Sequence, residues 1–437
     1  MEKNIFIDKL FEKASLKGID EFEIYFLSNL NTSIKIYQGK IENFSNNQNQ
    51  GISFRGMVDG KMGYSYSESL EDEDIDFLIN EVIENASCIE SLDKQFIYGE
   101  KANYTDTITY SSAIENLDTD LVKDFLIKME EYALSIDERV KKVNFCSFAM
   151  GSGEKIIKNS KGLELHSKEN ICYTYISVIA EENGIVKTGS HFQLGRDFAK
   201  FDYKELSEVA VKRALNKFGA IALTKIPKTC VIENLAFSSL LGAMSNIFSA
   251  EAVQKNISKL KGKLNESVAS SIVTLVDDPF LKDGLANSSF DDEGVPTSYK
   301  EIIQDGVLKT YLYNLKTAYK DGVSSTGNGI KGSYKGTVGI SSFNLYIKPS
   351  SKSFDKMIEN IKEGIFITDF AGLHSGLNTI SGDFSLAGEG FYIKDGKIDK
   401  PLNQITISGN FFGLLKNIKD IANDIKFSFS SVGSPSI

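Results

Sequence analysis

Apolar residues recur at helical spacing at the start of the chain, where Ile7, Leu10, Phe11 and Ala14 share one face and Gly18 stands where a C-terminal cap belongs. The period then changes. Phe22, Ile24 and Phe26 alternate with Glu23 and Tyr25, Ile34 and Ile36 flank Lys35, and Gly39-Lys40 interrupts the run before Ile41. This predicts strands of an antiparallel meander. Asp59-Gly60, set between strand-like flanks, suits a two-residue hairpin because glycine accepts positive φ. Ile75, Leu78, Ile79, Val82 and Ala86 return to a helical stripe, and Leu121, Phe125, Met129, Tyr132 and Ile136 form another. A second strand-rich block covers about residues 140–192, with turns at Ser160-Lys161-Gly162 and Glu182-Asn183-Gly184, and a helix follows near 203–218.

Beyond Lys225-Ile226-Pro227-Lys228 the pattern shifts to one helix near 235–250 and then short strands broken by many glycines. The length of 437 residues exceeds what one ordinary core supports, and the expected division is an N-terminal α+β domain over 1–222 and a β-rich domain over 223–437. The fold class expected is α+β, with an N-terminal antiparallel sheet carrying helices.

Composition narrows the possible functions. The formal charge of −10 repels phosphate backbones, so it argues against nucleic acid as a partner. Cys88, Cys146, Cys172 and Cys230 match neither a C-x-x-C knuckle nor a dense disulfide framework and are expected to be reduced and mostly buried. No signal-peptide or membrane-helix segment is evident, which makes the cytoplasm the default compartment and a membrane an unexpected partner. Gly327-Asn328-Gly329-Ile330-Lys331-Gly332 has the spacing of G-x-G-x-x-G but follows a loop, so it does not read as a dinucleotide fingerprint.

Candidate chemistry is sparse. His166, His191 and His374 are the only histidines and are too scattered for H-E-x-x-H or any other paired-ligand helix. His166 is expected on the exposed strand face beside Glu164, and His191 at a strand end. His374 lies in a small-residue loop, Ala371 to Leu377, followed by Ser381-Gly382-Asp383. That arrangement allows a serine, histidine and aspartate sketch but lacks a G-x-S-x-G elbow. Asp277-Asp278 and Asp291-Asp292-Glu293-Gly294 are acidic clusters that could hold a divalent cation or act as acid and base, while glycine and Pro296 beside the second suit a solvated turn.

Several strings of the second half resemble the PmbA/TldD family, also called the modulator of DNA gyrase family. They are Asp291-Asp292-Glu293-Gly294-Val295-Pro296-Thr297, Gly306-Val307-Leu308-Lys309-Thr310-Tyr311, Thr326-Gly327-Asn328-Gly329, Ser381-Gly382-Asp383-Phe384-Ser385, Gly388-Glu389-Gly390-Phe391-Tyr392-Ile393 and Ile405-Thr406-Ile407-Ser408-Gly409-Asn410. Their order agrees with the family, and Ser53-Phe54-Arg55-Gly56 extends the resemblance into the first half. In the TldD branch the resemblance implies an H-E-x-x-x-H helix and a late cysteine holding zinc, which the PmbA (TldE) branch lacks. The matching positions here are Gly242, Ala243 and Ile247, and no cysteine follows Cys230. The resemblance therefore implies the PmbA branch, with no metal or catalytic group of its own and zinc in a TldD-like partner subunit. Unfolded peptide would be the substrate of that hetero-oligomer, and a homodimer is possible for the chain alone. Asp291, Asp292, Glu293, Asn328, His374 and Asp383 are then expected on loops that contact substrate or partner. Alternatives are an autonomous metal-independent hydrolase around His374, or a module that binds gyrase or small regulatory proteins.

Overall fold

The computed structural model describes residues 1–19, 21–90 and 93–437. Six antiparallel strands form the first sheet: β1 (Glu21–Tyr37), β2 (Lys40–Val58), β3 (Lys61–Ser67), β4 (Val140–Asn159), β5 (Glu164–Glu182) and β6 (Ile185–Gly195), in the spatial order β3-β2-β1-β4-β5-β6. The turns are where the sequence places them. Asp59 and Gly60 both take positive φ, as do Asn183 and Gly184, so both hairpins close through two left-handed residues.

Helices cover one face of this sheet. α1 (Lys3–Leu16) and α2 (Asp72–Cys88) pack on the β1–β3 end, where Phe6, Leu10, Leu78, Ile79 and Val82 meet Phe22, Ile24 and Phe54. Burying each such side chain contributes roughly 1.5–3 kcal/mol. α3 (Thr119–Ser135) and α4 (Tyr203–Leu215) cover the β4–β6 end. Asp118 caps α3 through Asp120 N at 2.9 Å, and Asp202 caps α4 through Lys204 N at 2.8 Å. The inward face of α3 is Val122, Leu126, Met129 and Ala133. Leu121 of the expected stripe is exposed, because two apolar stripes overlap on this helix and only one can face the sheet.

The opposite face of the sheet is also covered. Tyr25 and Ile157 pack against Phe290 and Tyr334 of the second half. That half contains a six-stranded sheet built from short segments between Leu275 and Ser434, and a five-stranded sheet that includes Cys230–Ile232, Glu363–Ala371, Asp383–Lys394, Lys397–Pro401 and Ile405–Asn410. Between them α5 (Asn234–Met244) buries Phe237, Leu240, Leu241 and Met244 in the largest core. The α+β class is as expected. Cys146 and Cys172 are buried while Cys88 and Cys230 are exposed, so only half of the thiols are buried; none is in a disulfide. No helix of the described residues is long and apolar enough to cross a membrane.

Candidate functional site

The acidic loop 291–293 is not a solvated turn. Asp291, Asp292 and Glu293 are 0%, 4% and 3% exposed, wedged against the helix-free face of the first sheet. Strand alternation explains the partner side: Ile24 and Phe54 point to the helices, so Glu23 and Arg55, directly paired across β1 and β2, point to the second half. Arg55 Nε donates to Glu23 Oε1 at 2.8 Å, and Arg55 Nη1 lies 3.7 Å from Glu293 Oε1. Lys155 of β4 donates to Asp292 Oδ1 at 2.7 Å. Lys331 donates its backbone N–H to Asp292 Oδ2 at 2.7 Å, while its ammonium donates to Ser53 Oγ at 3.2 Å and sits 4.2 Å from the centre of the Tyr25 ring.

The carboxylates are held mainly by backbone donors. Asp291 Oδ1 accepts from Glu293 N at 2.9 Å and Val295 N at 3.0 Å, Asp291 Oδ2 from Gly329 N at 2.8 Å, and Glu293 Oε2 from Leu315 N at 2.7 Å. Burial raises the Asp291 carboxyl well above its usual range, with the nearby Glu293 charge adding to it. Burial also raises Glu293, against the pull of Arg55. Lys331 falls to about 8 because burial, and then the Arg55 charge, disfavour its ammonium. Removing one member of such a set strands a buried charge, so the seam binds the two halves of the chain together. Two further contacts reinforce it: Tyr104 Oη donates to Gly294 O at 2.8 Å, and Tyr64 Oη to the carbonyls of Tyr334 and Gly336.

Asn328, also fully buried, belongs to an adjoining network. Its amide donates to Asp277 Oδ2 at 2.8 Å and to Ser341 O at 2.9 Å, and Asp277 also meets Lys300 Nζ at 3.2 Å. The remaining candidates stand apart. His374 is exposed on a single helical turn, Leu373–Gly376. Asp383 accepts from Asn410 Nδ2 at 2.8 Å, and no hydrogen bond among the described residues links it or Ser375 to His374. The serine, histidine and aspartate sketch is therefore not assembled. His166 is exposed beside Glu164, as alternation requires. His191 is not at a strand end but inside β6 and buried. Burial, with Arg213 and Lys426 nearby, lowers it to about 4, and its Nδ1 has no hydrogen-bond partner.

The positions matched to the zinc ligands are not on one helix face. Gly242 lies in the last turn of α5, and a Cβ there would stand 3.3 Å from Ser430 Oγ and 3.6 Å from Val432. Ala243 adds only a methyl group. Ile247 falls beyond the helix, in the 3-10 turn Ser245–Phe248, and is buried in the core with Phe237 and Leu241. The tail turn facing Gly242 is built of Ser428, Phe429, Ser430 and Ser431 and offers no thiolate. These side chains do not fit a zinc ion, which takes nitrogen, sulfur or carboxylate donors. Among the described residues no three His, Cys, Asp or Glu side chains converge to hold a metal.

This α+β fold has known counterparts. Models of the PmbA/TldA metallopeptidase match in three segments: domain 1 over residues 22–86, the central domain over 112–218 and the C-terminal domain over 227–437. A Thermotoga maritima protein described as a modulator of a DNA gyrase is 33% identical and superposes with a TM-score of 0.91, covering 100% of this chain and 98% of its own. A metalloprotease of Methanocaldococcus jannaschii is 29% identical over 92% of this chain and 89% of its own length. TldE of Thermococcus kodakarensis, 22% identical, has the same fold at a TM-score of 0.91 over 99% of this chain and 98% of that one. The class is a metallopeptidase-like α+β protein. The chain belongs to the PmbA/TldD family.

Local sequence did not single out Glu23, Lys155 or Lys331. The available signal was a charged residue at a core position of a strand: Glu23 sits between Phe22 and Ile24, and Lys155 beside Ile156 and Ile157.

Proposed function

We propose that this chain is a noncatalytic subunit of a TldD-type zinc metallopeptidase acting on unfolded peptides, supplying scaffold and substrate-channel surface to a metal-bearing partner. The observation that carries this reading is the side-chain set at the matched ligand positions: a glycine, an alanine and a core isoleucine, facing a serine-rich turn. No general base stands where the active branch has its glutamate. The domain division at residue 222 and the loop contacts of His374 and Asp383 with substrate or partner remain part of this proposal, whereas Asn328, fully buried on Asp277 and Ser341, is out of reach of either. For Asp291, Asp292 and Glu293 the supported role is different, since burial removes them from any substrate and makes them the means by which the channel wall stays rigid.

The reading is tested by co-expressing the chain with a TldD-like protein from the same source. Association, and faster cleavage of an unfolded peptide in the presence of this chain, are expected; absence of both would refute it. The older family name and the Thermotoga maritima relative point to gyrase as a second target, but the charge of −10 disfavours direct contact with DNA. The hydrolase reading around His374 loses its geometric basis, because the aspartate is engaged by Asn410.

A further inference from the structure

β6 is the last strand of the first sheet, and a cavity of about 380 Å³ lies along its residues 191–194, closed by the loop 281–285, the start of α5 and residues 425–427. That volume is in the range of small-ligand sites. Its walls are apolar: Leu194, Leu235, Leu285 and Phe427, each half-buried. His191 also lines it. This residue is 8% exposed and its Nδ1 has no hydrogen-bond partner, an unmet polar group of the kind that a bound ligand satisfies. Two exposed lysines, Lys282 and Lys426, complete the lining, and neither ammonium has an ion pair or hydrogen bond among the described residues. The carboxylates nearby are already engaged. Glu205 accepts from Gln193 Nε2 at 2.9 Å, and Asp283 also borders the neighbouring cavity, where the Arg196 charge offsets it. Glu233, which also feels Lys426, pairs with Arg213 at 3.3 Å. What remains uncompensated is positive charge beside apolar walls.

We infer that this cavity takes the last residue of an unfolded peptide, its apolar side chain among Leu194, Leu235 and Leu285 and its free α-carboxylate against Lys282 and Lys426. The chemistry recognised is an apolar residue bearing an α-carboxylate, which a free amino acid also offers. The side chain gains by leaving water, and the carboxylate gains charge-assisted hydrogen bonds from the ammoniums. Position favours a peptide. Leu194 is also a wall of the next cavity, with Ile171, Tyr173, Tyr175 and Phe429, so the residues before the last one cross an aromatic surface. Phe429 in turn precedes Ser430, which faces Gly242 at the matched ligand positions. That the occupant is a peptide rests on the function proposed above; that the cavity binds an apolar carboxylate does not.

The test is fluorescence anisotropy of a labelled, short unfolded peptide ending in leucine, added to the full chain with no partner subunit present. Saturable binding is expected, and the same peptide with an amidated C-terminus, or ending in aspartate, should bind about tenfold more weakly or worse. Lys282→Gln/Lys426→Gln should weaken binding of the free acid about tenfold and leave that of the amide unchanged. Both side chains are exposed, so circular dichroism and the thermal midpoint should not move. Unlabelled free leucine separates the two sources: displacement by unlabelled peptide alone supports the peptide as occupant, and equal displacement by leucine would overturn it. No binding, equal binding of acid and amide, or a double variant that binds the acid as tightly as the wild type would overturn the inference. Failure here leaves the peptidase reading standing, since that reading fails separately if co-expression gives neither association nor faster cleavage.

Discussion

The loop at Asp291–Glu293 and the loop around His374 look alike in the sequence. Both are short, glycine-flanked segments with polar groups that could do chemistry. In the fold they are opposites: the first is sealed against β1 and β2, and the second lies in solvent with no partner for its imidazole among the described residues. The difference comes from what stands across the gap. Arg55 and Lys155 supply charge, and Lys331 a backbone N–H, to the acidic loop from three other parts of the chain, whereas the ring of His374 meets nothing comparable. A buried carboxylate is tolerated only when paired, so the depth of the acidic loop itself reports that it acts in holding the halves together.

The largest effect should follow from breaking the seam at its cation. Arg55→Met leaves Glu23 and Glu293 buried without their guanidinium and should cost about 3–5 kcal/mol, read as a fall in the urea midpoint. A loss below about 1 kcal/mol would mean that the seam is not what joins the halves.

Lys331 gives the pH signature. Its folded value of about 8 lies below the ordinary 10.5, so between those values the unfolded chain binds more protons and stability rises with pH. Below 8 both states are protonated and this contribution is flat. Relative to Lys331→Met, the wild type should therefore gain up to about 3 kcal/mol between pH 8 and 10.5, measured as the difference of two denaturation series. Parallel series would show that the ammonium is not desolvated there.

A smaller effect is expected at Gly329, whose backbone lies so close to the seam that a Cβ would stand 2.7 Å from Glu293 Oε2 and 3.0 Å from Asp291 Oδ2. Gly329→Ala should cost about 1–3 kcal/mol in thermal or urea unfolding, through crowding against carboxylates fixed by backbone donors. An unperturbed variant would show that the loop can shift. The smallest effect belongs to the other loop. His374→Ala should change stability by no more than about 0.5 kcal/mol, because the ring is exposed, and should weaken peptide cleavage by the assembled complex only through the proposed contact with substrate or partner. A larger stability loss would show that the loop is part of the packed fold.

Much of the fold was legible because its signals are local. Hairpin turns at Asp59-Gly60 and Asn183-Gly184 and the stripe of α2 depend on residues within a few positions of one another. The stripe of α3 was read one position off, since Leu121 and Val122 both continue a plausible face and the sheet beneath selects the second. The seam was legible only in part. Ser53 and Lys331 are 278 positions apart, and Lys155 and Asp292 are 137 apart, so nothing near Asp291 in the sequence announces its cations. The matched positions Gly242, Ala243 and Ile247 are legible only as residue types, and the break of α5 after Met244 and the burial of Ile247 come from packing against the core.

The most direct test of the noncatalytic reading is the rate of cleavage of an unfolded peptide by this chain alone, by a TldD-like partner alone, and by the two together. No cleavage by the chain alone and a faster rate for the pair than for the partner are the predicted results. Cleavage by the chain alone, or equal rates with and without it, would contradict the account.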